Sequence, residues 1–272
     1  MLYLLGSLYM LPNQIKYRGG VMLRETLWML RYWAKQLSLR QNIRHLMNGC
    51  QRWKKFWQSY SQYQKLSSGE DLLNNLYPCL GDDTAETYIE PTYFYQDCWA
   101  FEKIVQRRPS RHIDIGSHHK YVALLSKVVP VTMVDLRPLS LPLESLDFIE
   151  GSILSLPFED NSVESLSSLC VIEHIGLGRY GDPLDYYGSK KAFDELKRVL
   201  KVGGHLYISI PVGTESITAF NAGRIFSLDD VYKLLYPLKI ISSSFIVGNK
   251  LTNKFEYISG FSTTGLFEIT KD

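Results

Sequence analysis

The chain has 272 residues, enough for one sizeable domain plus an extension, or for two small domains. Its 45% hydrophobic and 21% charged residues are ordinary for a soluble globular protein, and the net charge is only +2. Cys50, Cys79, Cys98 and Cys170 are scattered and form no CxxC pair, which argues against a disulfide framework or a zinc site and fits a reducing cytosol.

The opening MLYLLGSLYMLP is too short an apolar run to span a bilayer, and it lacks the flanks of a signal peptide. Charge is unevenly spread. Residues 1–65 hold eleven Lys or Arg against the single acid Glu25, about +10, and the remainder is about −8. In residues 21–37, Leu23, Leu27, Leu30, Ala34 and Leu37 recur at helical spacing, with Arg24, Arg31 and Lys35 off the stripe. A second helix runs through Ile43, Leu46, Cys50, Trp53, Trp57 and Tyr60, with Arg44, Arg52, Lys54 and Lys55 around it. Residues 1–66 therefore read as a basic amphipathic helical extension. It serves either as a packing or homodimer contact, or as a peripheral contact with anionic membrane in which Trp28, Trp33, Trp53 and Trp57 sit at headgroup level. Nucleic acid is not expected as a partner, because no stacking platform accompanies the charge. Residues 67–92, rich in turn formers and acids, read as a linker.

From residue 93 to residue 272 the pattern alternates between strands and helices. Residues 97–107 are expected to be helical, RHIDIG a buried strand, 119–127 a helix and VPVTMVD a second strand. DFIEGS and SVESLSSLC follow as strands three and four. A helix over 189–201 is closed by LKVGG; HLYISIPV is the fifth strand, 227–236 a helix, and KIISSSFIV and the region 255–269 hold two late strands. Such alternation calls for a mostly parallel sheet with helices on both faces, binding ligands at the carboxyl ends of its strands.

The chemistry-bearing residues fall at those ends. Asp114, Gly116 and Ser117 lie where the first strand breaks into a turn, in which backbone N–H groups can face a ligand closely. Asp135 ends the second strand, where a carboxylate can accept both ribose hydroxyls of an adenosine. Gly151 and Ser152 end the third strand and Cys170 the fourth.

IDIGS, the VD pair, GSILSLPFEDNSVES, LKVGG and the strand after it resemble the motif series of class I methyltransferases over roughly residues 93–271. SSLCVIEHIGLGRYGDPLD, YFYQDCWAFEKI and NAGRIFS resemble more narrowly an uncharacterised methyltransferase-like family, domain of unknown function 268. The resemblance implies a Rossmann-like α/β fold with a mostly parallel seven-stranded sheet. It also implies S-adenosylmethionine as methyl donor, held by Asp114, Gly116, Ser117, Asp135, Gly151, Ser152 and Cys170. Two departures stand out. Gly116-Ser117-His118-His119 replaces the usual G-x-G, and Ser152 stands where many relatives carry Asp.

The segment after strand four is the densest set of reactive groups, and the fold would face it toward the acceptor. His174 is the expected general base, with Glu173 or Asp182 as alternatives. Arg179, Tyr180 and Arg224 are the expected acceptor-binding residues, Arg179 through a carboxylate or phosphate. Adjacent His118 and His119, with His112, lack the spacing of metal ligands, and no metal is expected. The expectation is therefore a cytoplasmic O-methyltransferase for a small-molecule or glycan acceptor, in a polysaccharide pathway, possessing a donor site and a basic extension. The rivals are a scaffold that has lost catalysis, and a nicotinamide-dependent oxidoreductase or epimerase. The second of these lacks GxGxxG and a Tyr-x-x-x-Lys pair.

Overall fold

A computed structural model describes residues 26–27, 29–30, 39–66, 76–137 and 139–272. The chain divides into two compact units, residues 1–87 and 88–272. The opening apolar segment, Trp28, Trp33, most of the expected helix over 21–37 and all of residues 67–75 lie outside the described residues. Within the first unit the described element is one long helix, α1 (Leu39–Leu66). Among the described residues, no helix is long and apolar enough to cross a membrane.

The second unit opens with α2 (Pro91–Arg107), which starts six residues before the helix expected from periodicity. Its start is local chemistry. Pro91 presets the first turn, and the Glu90 carboxylate accepts the Tyr93 N–H at 2.7 Å. There follow β1 (His112–Ile115), α3 (His119–Leu125), β2 (Val131–Asp135), β3 (Leu146–Glu150), β4 (Val163–Leu169) and a 3-10 turn (Ile172–His174). The unit closes with α4 (Gly188–Val199), β5 (Leu200–Gly213), β6 (Ile217–Ala219), β7 (Gly223–Ser227), α5 (Leu228–Leu235), β8 (Lys239–Val247), β9 (Lys250–Thr252) and β10 (Thr263–Thr270).

The main sheet runs β3-β2-β1-β4-β5-β10-β8, with β9 at the edge. Neighbours from β3 through β5 pair in parallel, and β10 runs antiparallel to both β5 and β8. Six of the seven principal strands thus point one way, giving the mostly parallel, Rossmann-like sheet expected from the sequence. One face buries Trp99, Ile104, Val122 and Leu125 of α2 and α3; a second cluster is built on Phe193, Leu196, Val231 and Leu235 of α4 and α5. Burying large aliphatic and aromatic side chains on both faces is the main stabilising term, about 1.5–3 kcal/mol for each.

Two details differ from the periodicity reading. LKVGG does not close the preceding helix but begins β5, and the register against β4 shifts between Val163 and Ser165. Gly203, at φ 75°, supplies the left-handed residue that this irregularity needs. NAGRIFS, with no strand expected, supplies the end of a β6–β7 hairpin that pairs through β7 with the tip of β5. It brings Gly223 and Arg224 back toward the carboxyl end of β4.

Candidate functional site

Strand order reverses at β1, with β2 on one side and β4 on the other, and this is where a parallel sheet leaves a crevice. A cavity of about 410 Å³ lies there, within the range of small-molecule sites. Its wall includes Gly116, Ser117, Asp135, Gly151, Ser152 and Cys170, one contribution or more from each of the first four strands.

The turn after β1 is braced from beneath. Asp114 is fully buried and does not line the cavity; it accepts the Ser117 N–H at 3.0 Å and the Ser167 hydroxyl. Ser167 in turn contacts the buried His112 ring at 2.8 Å, and the other ring nitrogen meets Ser165 at 2.8 Å. Burial pushes the Asp114 carboxyl up to about 6, against the lowering effect of its serine donors, and pulls the His112 imidazole down to about 3. Asp114 therefore shapes the loop from behind, rather than touching a ligand as the sequence reading expected.

Gly116 has φ 68°, which glycine adopts freely. A Cβ there would stand 3.3 Å from Val171 Cγ1 and 3.9 Å from Asp135 Oδ2, so its absence keeps the cleft between the first two strand tips open. The second glycine missing from this loop costs no backbone strain. His118 sits at φ −65° and ψ 127°, accessible to any residue, and Nδ1 caps α3 by accepting the Lys120 N–H at 3.4 Å. Its ring packs against Tyr93 and stacks on His119, and all three rings line the cavity.

Asp135 is largely covered and accepts the Arg137 N–H at 2.9 Å, with the Arg137 guanidinium 3.6 Å away. Leu136, Ile153 and Leu154 give the same end an apolar lining suited to a flat base. The Ser152 hydroxyl accepts the Leu154 N–H at 3.2 Å and fixes that turn. Cys170, at φ 52°, donates its thiol to Gln96 Oε1, and burial raises its pKa well above the usual thiol value.

The loop after β4 is built differently. The Asp182 carboxylate accepts from the N–H groups of Gly176 (2.6 Å), Gly178 (3.4 Å) and Tyr180 (3.3 Å). Arg224 is buried and donates to the Ile175 carbonyl at 2.6 Å, Ser189 Oγ at 2.8 Å and the carbonyls of Asp185 and Tyr186. Asp182 lines the cavity, but its carboxylate is committed to these N–H groups, so it acts first as a loop clamp. Arg224 ties β7 to the loop and presents no free guanidinium to an acceptor. Both assignments made from the sequence give way for one reason: a buried turn needs partners for its N–H and C=O groups, and these side chains provide them. Arg179 is exposed, outside the cavity wall, donating to the Ala222 carbonyl at 2.7 Å.

His174 and Tyr180 do reach the cavity. The His174 ring is seated against Gly223, where a Cβ would come within 3.3 Å of Nδ1 and Cε1. Burial lowers its pKa, with the nearby Arg179 charge acting in the same direction, so the ring is neutral at pH 7. Arg179 lies 3.5 Å from Nδ1, and Glu173 Oε1 lies 3.7 Å from Nε2. Glu173 itself is buried behind the wall with Oε2 unpartnered, and burial pushes its carboxyl up to about 8. It is protonated at pH 7, so it does not serve as a ready base. The Tyr180 ring carries Arg137 4.7 Å from its centroid and Arg179 5.2 Å away, joining the second-strand side of the mouth to the fourth. Arg137, Tyr93 and His118 line the cavity although the motif reading left them without a role; only their proximity in the fold marks them.

Comparison with known proteins bears on this arrangement. Residues 158–265, less than half of the chain, match a family described as Caenorhabditis protein of unknown function, DUF268. The match takes in the loop after β4 and NAGRIFS, two of the three segments on which the narrower resemblance rested, and leaves YFYQDCWAFEKI outside it. No curated protein matches the chain in sequence. Among solved structures it is similar to the N-methyltransferase NodS from Bradyrhizobium japonicum WM9 in complex with S-adenosyl-L-homocysteine, at 15% identity and a TM-score of 0.49, covering 71% of this chain and 91% of that one. It is similar also to 1,6-didemethyltoxoflavin-N1-methyltransferase from Burkholderia thailandensis, at 14% identity and a TM-score of 0.46, covering 70% and 94%.

Proposed function

We propose that this protein is an S-adenosylmethionine-dependent methyltransferase acting on a small hydroxylated acceptor, a sugar or glycan being the best candidate. The observation carrying the reading is the cavity at the switch point of the sheet, where Asp135, the open Gly116 turn and the apolar Leu136–Ile153–Leu154 lining converge. An acid, a close backbone approach and an apolar slot are what a nucleoside with free ribose hydroxyls requires. The donor supplies an electrophilic methyl group on a sulfonium when bound.

The chain's own residues have three tasks. Asp135 accepts the ribose hydroxyls. The braced 116–118 turn and Cys170 border the remaining length of the donor. His174, neutral and on the wall, accepts the acceptor's proton. The Ala222 carbonyl beside it partly offsets the burial and the Arg179 charge that disfavour the protonated ring. A polar acceptor is supported by His174, Tyr180 and His118 at the mouth.

Calorimetry with S-adenosylhomocysteine tests the donor assignment. Micromolar binding that weakens in folded Asp135→Ala protein supports it. Absence of heat at high micromolar ligand would favour a protein that keeps the fold for binding or scaffolding alone.

A further inference from the structure

The longest described helix of the first unit has no role in the site above. Over the 28 residues Leu39–Leu66 it carries six Lys or Arg and no acid. Its second half also carries a continuous aromatic stripe. Trp53 stacks on Trp57 with centroids 6.3 Å apart, Phe56 meets both edge-on, and Tyr60 packs edge-on against Trp57. Rings at helical i, i+3 and i+4 spacing hold one another in place, so little side-chain freedom remains to be lost when the stripe meets a partner. Yet Trp53 is 43% exposed and Trp57 46%.

Basic side chains border that stripe. Lys54 and Lys65, with Gln58, Ser61 and Gln62, flank Trp57 along a shallow groove, and exposed Arg52 lies on the opposite flank. Lys55 is engaged with Asp83 and is left out of the account.

We propose that this face of α1 is a docking surface for an anionic lipid bilayer, lying in the plane of the interface. Three features select that partner. The charge is of one sign, as an anionic surface requires. The aromatics are Trp and Tyr, whose rings favour the headgroup level. The polar groove between Lys54 and Lys65 offers ammonium and hydroxyl donors to lipid phosphates alongside the rings. Docking would hold the acceptor site of the second unit near membrane-borne substrates, which rests on the proposed function, whereas the docking itself does not.

The experiment is sedimentation of the full chain with vesicles of phosphatidylcholine and phosphatidylserine in equal parts, against phosphatidylcholine alone, at low and high salt. We expect binding to the anionic vesicles only, lost at high salt as screening shortens the reach of the charges to about 3 Å at 1 M. Each basic residue near the surface is worth about fivefold, so Arg52→Gln/Lys54→Gln/Lys65→Gln should weaken partitioning about a hundredfold. Trp53→Ser/Trp57→Ser should weaken it as well, with retained circular dichroism confirming the fold. Equal binding to both vesicle types, salt-insensitive binding, or an unaffected triple variant would overturn the proposal. So would exclusive binding to homopolymeric RNA, or conversion of a dimer to a monomer by the Trp variant without any vesicle binding. If a variant fails to fold, the lipid and salt dependence of the unaltered chain still decides. Loss of vesicle binding with unchanged S-adenosylhomocysteine affinity would separate this surface from the donor site.

Discussion

The two walls of the cavity use polar residues over different distances along the chain. On the wall made by the tips of β1 to β3, Asp114, Asp135 and Ser152 each accept an N–H two or three residues on, and Asp135 and Ser152 still border the cavity. On the wall after β4 the chain turns repeatedly, and its backbone takes up Asp182 and Arg224 as clamps. A polar side chain that braces only its own short turn can thus still border the cavity, whereas Arg224, spent on distant backbone, does not. His174 is the exception among the titratable groups of the loop wall, since its ring borders the cavity without clamping a turn, while Gly223 makes room for it.

The sharpest test of that exception is His174→Asn. As a general base it should contribute about 10²–10⁴-fold to the chemical step while donor affinity stays within about threefold. Activity should rise with pH along a limb below the ordinary imidazole value of 6.5, because burial and Arg179 depress the pKa. A near wild-type single-turnover rate in this variant would leave the loop wall with no catalytic group and break the comparison.

The clamp assignment is tested by Arg224→Ala, which abandons the buried acceptors on Ile175 and Ser189 and the partly buried carbonyls of Asp185 and Tyr186. Loss of charged hydrogen bonds predicts about 3 kcal/mol of destabilisation in urea unfolding, with donor affinity of the folded fraction little changed. If stability holds while acceptor KM rises, Arg224 contacts substrate after all. On the strand-tip wall, Asp135→Ala should weaken S-adenosylhomocysteine binding by about 1.5–3 kcal/mol without a comparable loss of stability. Unchanged affinity would remove Asp135 from the donor site.

The last effect is a slope. The Glu173 carboxyl titrates near 4.5 when unfolded and at about 8 when folded, so the folded state holds the extra proton between those values. Stability should therefore fall as pH rises through that window, by up to about 1.4 kcal/mol per pH unit from this group. Glu173→Gln should flatten that fall relative to the unaltered protein. An identical pH dependence in both would mean that Glu173 is ionised and hydrated in the folded state.

Much of this was written locally. Strand and helix order from residue 93 onward, the turn at Gly116 and the acid at Asp135 follow from periodicity and from side chains whose roles depend on near neighbours. The start of α2 was legible too, in Glu90 and Pro91, although hydrophobic spacing alone placed it late. The β6–β7 hairpin and the first segment of β5 were not legible, because short strands with glycines gain their stability from partners far along the chain.

What the sequence determined by itself was therefore the order of elements and the identity of the strand-tip residues, since a strand's period and its end are local properties. Tertiary structure alone decided which groups of the 173–182 loop are free. Asp182 meets backbone of its own turn, Arg224 arrives from β7 nearly fifty residues after Ile175, and Glu173 is sealed behind the wall with its proton. Hydrogen-bond commitment and desolvation depend on what the rest of the fold brings alongside, and no spacing within the loop encodes them.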